Sequence, residues 1–359
     1  MAAASASALA RLVRSQGKAR VADLGAVDLH THVYLPRYMD LLRGRRDVPF
    51  VRSLGGAEER LVILPDEQKQ IEAGGDDASI AFGRPIGAEY WDAGVKLAYM
   101  DRHGIAVSVL SLANPWLDFL PLQDQVAMAT SLNKDVDELC KGSNGRFLAF
   151  GVVPQQVDAA VDELERLATL PHLRGVILST AGLGNKGLDD QAMLQFYRTA
   201  ERLKLTLFVH PHYGVGNEHY HDYGHALFLA LGFPFESTVA VSRLILSGLL
   251  DQVPRLQLLM AHAGGALPFL AGRLDSCVAH DPARFYFDAI AYHPPALQCL
   301  LSLVGRDRVV FGTDHPFFPP AGDEEDWTST LTNYAAMADL DADTQTAILH
   351  GNATKLLGL

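Results

Sequence analysis

The sequence predicts a (β/α)8 barrel, an eight-stranded TIM barrel with an insertion after its first strand. Three observations predict it: eight short apolar runs rich in β-branched and aromatic residues, segments of helical period between them, and polar residues gathered where several of those runs end. Runs that are apolar throughout, rather than alternating, belong to strands covered on both faces, as in a parallel sheet closed into a barrel. Their alternation with helices is the mark of successive βαβ units.

In chain order the strands are expected at 27–30 (VDLH), 107–112 (VSVLSL), 147–153 (FLAFGVV), 175–179 (GVILS), 206–210 (TLFVH), 256–262 (LQLLMAH), 285–290 (FYFDAI) and 309–312 (VVFG). The segments between them place apolar residues three and four apart, as Val157, Val161, Leu164 and Leu167 do after Pro154. Residues 1–26 read as an N-terminal extension, expected to be poorly ordered, and 27–359 as the barrel. Residues 33–90 are the insertion, at the strand end where barrels build lids and specificity. Within it GGDDAS (74–79) reads as an exposed loop. Residues 1–22 contain Arg11, Arg14, Lys18 and Arg20 and no acid, a composition shared by mitochondrial targeting segments and frayed N-terminal helices. Composition being the only argument for an address, a frayed helix on a cytoplasmic protein is the expectation.

The acidic balance, 42 Asp plus Glu against 30 Lys plus Arg for a net charge of −12, argues against nucleic acid or an anionic membrane as partner. No window approaches the roughly 20 unbroken apolar residues that span a bilayer. Three cysteines, Cys140, Cys277 and Cys299, are widely spaced without a C-x-x-C pair, so neither a disulfide framework nor a thiolate zinc site is suggested.

The chemistry collects at strand C-termini. The first strand runs into His30-Thr31-His32, the fifth into His210-Pro211-His212, the sixth into His262, and the eighth into Asp314-His315. Alternate strand residues share a face, so His30 and His32 can reach one cation. A further histidine and a carboxylate would complete a nitrogen and oxygen site suited to Zn2+ or another divalent first-row metal such as Mn2+, with a position left open. An isolated H-x-H pair is more often structural than metal-binding, and it is the conjunction over four strands that carries the reading. His219, His221 and His225 read as a solvated loop cluster, Arg60 and Arg273 taken alone as ordinary surface arginines, and Asn114 as a turn cap before Pro115.

VDLHTH, LFVHPHYG, LMAHAGGALPFLAGRLD, VVFGTDHPFF and the terminal GNATKLLGL resemble the amidohydrolase superfamily, from residue 27 to the end. The resemblance is to its aminocarboxymuconate-semialdehyde decarboxylase-like branch, whose members are metal-dependent barrels that mostly remove CO2 without an organic cofactor. SLANPWLDFL, HPHYG, ALGFPFESTVAVSRL and GTDHPFFPP are most similar to the isoorotate (uracil-5-carboxylate) decarboxylases within it. The resemblance implies His30, His32, His210 and Asp314 as metal ligands, with Asp314 and His262 as catalytic residues. It implies Arg60 as the grip on a substrate carboxylate, Asn114, His210 and Phe317 as pocket residues, and Arg273 reaching a neighbouring subunit's site. The expected partner is thus a small-molecule carboxylate, and the expected assembly a homodimer or larger homo-oligomer. Two departures stand out: the extension before Val27, and the short VAHDPAR (278–284) where the branch has a long helical segment.

Such residues could hold the carboxylate, draw charge from the ring and return a proton to carbon. Asp314 beside a cation should stay ionised, so its acid role requires it to take up a proton first. Two other readings use the same ligands: a hydrolase of a lactone, amide or ester, and a catalytically dead barrel that only binds.

Overall fold

The computed structural model describes residues 25–55, 58–74, 83–216, 219, 225–277, 285–320 and 325–359. Residues 1–24, most of GGDDAS and all of VAHDPAR lie outside the described residues. Eight parallel strands form one sheet in the order β1 (Ala26–Val33), β5 (Ile105–Leu112), β6 (Phe147–Gly151), β7 (Leu173–Ser179), β8 (Thr206–His210), β9 (Leu258–Met260), β10 (Tyr286–Asp288) and β11 (Val309–Val310). All eight expected strands are present, the first beginning at Ala26. The last three are short.

The sheet closes where β1 meets the chain beyond β11. Leu29 N–H donates to the Phe311 carbonyl (3.1 Å), Asp314 N–H to the His30 carbonyl (2.8 Å) and His32 N–H to the His315 carbonyl (2.7 Å). Gly312 is required there, since a Cβ on it would lie 2.8 Å from the His30 Cβ. Phe150 and Phe208 are buried on the inward face beside His30, and Leu29, Val176 and Phe287 on the outward face under the helices, as strands packed on both faces demand.

Helices on the outside follow the expected period. α3 (Ala93–Arg102) precedes β5, α4 (Leu122–Lys141) follows it, and α5 (Val157–Leu167) turns Ala160, Leu164 and Leu167 inward. The Gln156 side chain accepts from Ala159 N–H and so caps α5. Downstream, α6 (Leu194–Leu203), α7 (Phe233–Leu246), α8 (Leu267–Cys277) and α9 (Pro294–Val304) complete the ring around the later strands.

The insertion has its own architecture. It holds α1 (Pro36–Arg43), α2 (Pro65–Glu72) and an antiparallel sheet of β2 (Phe50–Gly55), β3 (Glu58–Val62) and β4 (Arg84–Ile86) in the order β2-β3-β4. Its register pairs Arg60 with Pro85 and Leu61 with Arg84. Directly paired residues point to one face, so Arg60 and Arg84 lie on opposite faces of this sheet. One expectation needs correcting: the helical run Phe228–Leu246 is long and apolar enough by composition to cross a membrane. Its place is against the barrel, with Phe233, Val241 and Leu244 buried and the Glu236 carboxylate bonded to His212 N–H in the loop after β8.

Candidate metal centre

The strand alternation that puts His30 and His32 on one face brings their Nε2 atoms 3.1 Å apart. Asp314 arrives from the other side of the closing seam, its Oδ1 3.4 Å from His30 Nε2 and 3.5 Å from His32 Nε2. His210, the last residue of β8, presents its ring 5.1 Å from both His30 and His32, and His262 lies 5.1 Å from His30 and from His210. His262 Nε2 is 3.8 Å from Asp314 Oδ2. The five expected residues, drawn from four strands, are therefore in one place.

The outer hydrogen bonds decide where the imidazole lone pairs point. His30 Nδ1 donates to Asp288 Oδ2 at 2.6 Å. The Ser111 hydroxyl donates to the Thr31 carbonyl (3.1 Å), so His32 Nδ1, also 3.1 Å away, donates to that hydroxyl. His210 Nδ1 donates to the Pro211 carbonyl at 2.6 Å. With all three Nδ1 protons held outward, the three Nε2 atoms converge, each offering a lone pair when its ring is neutral, and among the described residues His210 Nε2 is buried without a hydrogen-bond partner. The ligand atoms of His30, His32 and His210 lie within 4.8 Å of one another, as do those of His30, His262 and Asp314. Metal–nitrogen bonds of about 2.1 Å in tetrahedral array put neighbouring ligand atoms about 3.4 Å apart, the spacing seen between Asp314 and the first-strand pair. The residues fit a divalent ion.

The electrostatics ask for one positive charge. Burial disfavours the His30 imidazolium, but the Asp314 and Asp288 carboxylates beside it outweigh burial and push it up to about 10. Burial and the nearby His30 lower His32 to about 4 despite Asp314. Burial, with His30, His32 and His262 beside it, pushes His210 well below its ordinary value. Burial alone would raise Asp314; the histidines around it overcome this and hold its carboxyl well below the usual range. The cluster thus pairs an ionised carboxylate with imidazoles that cannot all be protonated, an arrangement suited to one cation.

Backbone strain accompanies this placement. Asp314 has φ +60°, and His262 and Ala263 have φ +53° and +54°, in the left-handed region costly for residues with a side chain. Beside them, Gly265 (φ +67°) lets the loop press on α7, since a Cβ there would lie 2.1 Å from the Pro234 carbonyl oxygen. Asp288 helps hold the loop, accepting from His262 N–H and Ala263 N–H at 2.9 Å each.

A cavity of about 610 Å³ opens onto the cluster. His210, His262 and Asp314 form its polar end, and Phe233, Phe317 and Phe318 contribute to a mostly apolar wall. Phe317 stands edge-on to His32 (5.4 Å between ring centres), as a pocket residue should. Asn114 is not among the residues lining this cavity: its side-chain NH2 donates to the His212 carbonyl (3.0 Å), and its backbone carbonyl accepts from the Tyr34 hydroxyl (2.6 Å). Arg273 is exposed on α8. His221 and the side chain of His225 lie outside the described residues, and His219 is exposed.

Three positions beside the cluster escaped the sequence. Arg60 is held by Glu58 (3.1 Å) and the Gly83 carbonyl (3.4 Å), on the sheet face away from Arg84. It is Arg84 whose guanidinium lies over the Phe317 ring (4.4 Å), within electrostatic reach of Asp314. Its Nη2 donates to the Tyr34 hydroxyl (2.7 Å), while its Nε is buried without a partner among the described residues. Asp288 closes a carboxylate–histidine pair with His30, and its position at the C-terminal end of the seventh strand was the available signal. Lys96 approaches the seam from α3, and helical periodicity alone does not distinguish it from a solvated lysine.

Comparison with known proteins accords with this geometry. The chain superposes on the apo form of IDCase from Metarhizium anisopliae with a TM-score of 0.87 and 38% identity, over 94% of this chain and 98% of that one. It is 28% identical over 295 residues to the 2-amino-3-carboxymuconate-6-semialdehyde decarboxylase of Dictyostelium discoideum, covering 77% of this chain and 80% of the relative. A dihydroxybenzoic acid decarboxylase from Polaromonas sp. with bound manganese and an inhibitor shares the fold, at 20% identity and a TM-score of 0.69 over 93% of this chain and 97% of that one. The family profile described as amidohydrolase matches residues 27–359, and the chain belongs to that family.

Proposed function

We propose that the protein is a metal-dependent non-oxidative decarboxylase of a (hetero)aromatic or unsaturated carboxylic acid, with isoorotate, converted to uracil, as the preferred substrate. The observation that carries the reading is the convergence of three buried histidine Nε2 atoms and an ionised Asp314 at the polar end of a cavity walled by Phe317, over whose ring the Arg84 guanidinium lies. The relatives named above support decarboxylation, and IDCase supports the pyrimidine acid.

A divalent ion, Zn2+ or Mn2+, held by His30, His32, His210 and Asp314 would supply a Lewis acid that polarises the substrate. Arg84 can give the carboxylate a charge-assisted hydrogen bond from its unpartnered Nε, and Phe317 offers a ring face for stacking. Apolar walls limit water around the ring. As the bond to CO2 breaks, its electron pair stays on the ring carbon and takes up a proton from Asp314 or His262, which flank the same space. Asp314, ionised at rest, must first take up a proton, from solvent or from His262. No organic cofactor enters the proposal. A homodimer is part of it, on the resemblance that places Arg273 at a neighbouring subunit's site.

The test is to incubate purified protein of measured metal content with isoorotate, aminocarboxymuconate semialdehyde and dihydroxybenzoates, following uracil or CO2. Metal-dependent release of uracil supports the reading. Metal-replete protein that leaves every acid intact and cleaves a lactone, amide or ester overturns it in favour of hydrolysis.

A further inference from the structure

A buried ammonium group crosses the seam on which the metal centre stands. Lys96, on α3, is 3% exposed. Its Nζ donates to the Thr31 hydroxyl at 2.7 Å and to His315 Nδ1 at 2.5 Å. Thr31 lies between His30 and His32, and His315 directly follows Asp314. Thr31 in turn donates to the His315 carbonyl (3.0 Å) and pairs with His315 in the bridge that joins β1 to the chain beyond β11. One side chain thus ties the segment carrying His30 and His32 to the segment carrying Asp314, from the side opposite the cavity.

The helix adds a second hold. Tyr99, one turn after Lys96 and on the same face, stacks on the His315 ring at 3.8 Å, with Trp327 on that ring at 4.4 Å. Asp28 supplies a compensating charge and accepts from Thr313 N–H (3.1 Å) and the Thr313 hydroxyl (2.7 Å) on the far strand. Burying an ammonium is costly, and a methionine of similar length would fill this space without that cost. What methionine cannot do is bridge a hydroxyl on one strand to an imidazole on the other. Asp314, held at φ +60° between Thr313 and His315, depends on both neighbours for its place.

We infer that Lys96 is a positioning residue, clamping β1 to the Asp314 segment so that the first-strand imidazoles and the Asp314 carboxylate keep the spacing a metal ion needs. The inference rests on the metal centre but not on the identity of the substrate. Its test is the metal dissociation constant of Lys96→Met, measured by chelator competition on folded protein, alongside kcat and KM. The expected result is a dissociation constant raised about tenfold or more, the range for disturbed outer partners of a metal site. A similar fall in kcat should accompany it, with KM nearly unchanged, because Lys96 is not among the cavity-lining residues. A merely structural lysine would lower the melting temperature of the metal-free protein and leave the dissociation constant of the folded fraction at the wild-type value; that result overturns the inference. Should Lys96→Met fail to fold, Thr31→Val removes only the bridging hydroxyl. It is expected to weaken metal binding in the same direction, and unchanged affinity there would be equally fatal. Wild-type protein that binds neither Zn2+ nor Mn2+ would overturn the metal centre itself, which separates the two failures.

Discussion

Asp288 offers the sharpest test of how the imidazoles are aimed. Its Oδ2 accepts from His30 Nδ1 (2.6 Å) and His262 N–H (2.9 Å), and its Oδ1 from Ala263 N–H (2.9 Å) and Ile290 N–H (3.0 Å). Asp288→Asn keeps the shape but replaces one acceptor by an NH2 donor. With the amide nitrogen at the Oδ2 position, His30 can restore a hydrogen bond only by moving its proton to Nε2, which turns an N–H into the cluster in place of a lone pair. With the amide flipped, the buried Ala263 and Ile290 N–H groups face a donor and the His262 loop keeps only one of its two bonds to this side chain. Either way a hydrogen bond to a charged group is lost, about 1.5–3 kcal/mol, or roughly 10- to 150-fold in metal affinity. Chelator competition with Zn2+ and Mn2+ reads the affinity, and metal content with decarboxylation on the same sample reads the consequence. Wild-type affinity in a folded Asp288→Asn protein would show that the Asp288–His30 bond does not set the tautomer, and the convergence argument would fail with it.

Other substitutions separate the roles within the site. His30→Ala should lose the metal and all activity, and a metal-replete, active variant would refute the ligand set. Asp314→Asn should retain appreciable metal through the three imidazoles while turnover falls by orders of magnitude; near-wild-type turnover would remove Asp314 from proton transfer. Arg84→Met should raise KM by about 30-fold, equivalent to about 2 kcal/mol for a hydrogen bond to a charged carboxylate, whereas Arg60→Met should leave KM nearly unchanged. The opposite ranking would restore Arg60 as the carboxylate grip. Burial pushes the Cys140 thiol up from 9.0 to about 12, with Asp137 adding to the effect. The native state therefore favours the thiol, a contribution present below pH 9 and lost as pH rises toward 12. Denaturant titrations should show Cys140→Ala losing less stability than wild type across that window, and parallel curves would exclude the linkage.

Much of the barrel was legible because its signal is local. A strand covered on both faces must be apolar along its length, so VSVLSL or TLFVH declares itself without knowledge of its neighbours. The ends of such strands are where a barrel places its chemistry, which is why His30, His32, His210, His262 and Asp314 could be picked from sequence. The small sheet of the insertion was not foreseen, because its strands mix charged and apolar residues on a surface open to solvent.

Composition and period, by themselves, determined that eight parallel strands alternate with helices and which side chains stand at their ends. Only the folded chain decided what those side chains do, because the partners that aim them are remote. Asp288 is 258 positions from the His30 it orients, and Lys96 is 219 from His315. The choice of Arg84 over Arg60 follows from strand register, since a shift of one residue sends a side chain to the other face. Local pattern can announce a donor or an acceptor; whether its lone pair meets an ion depends on hydrogen bonds that form only when the barrel closes.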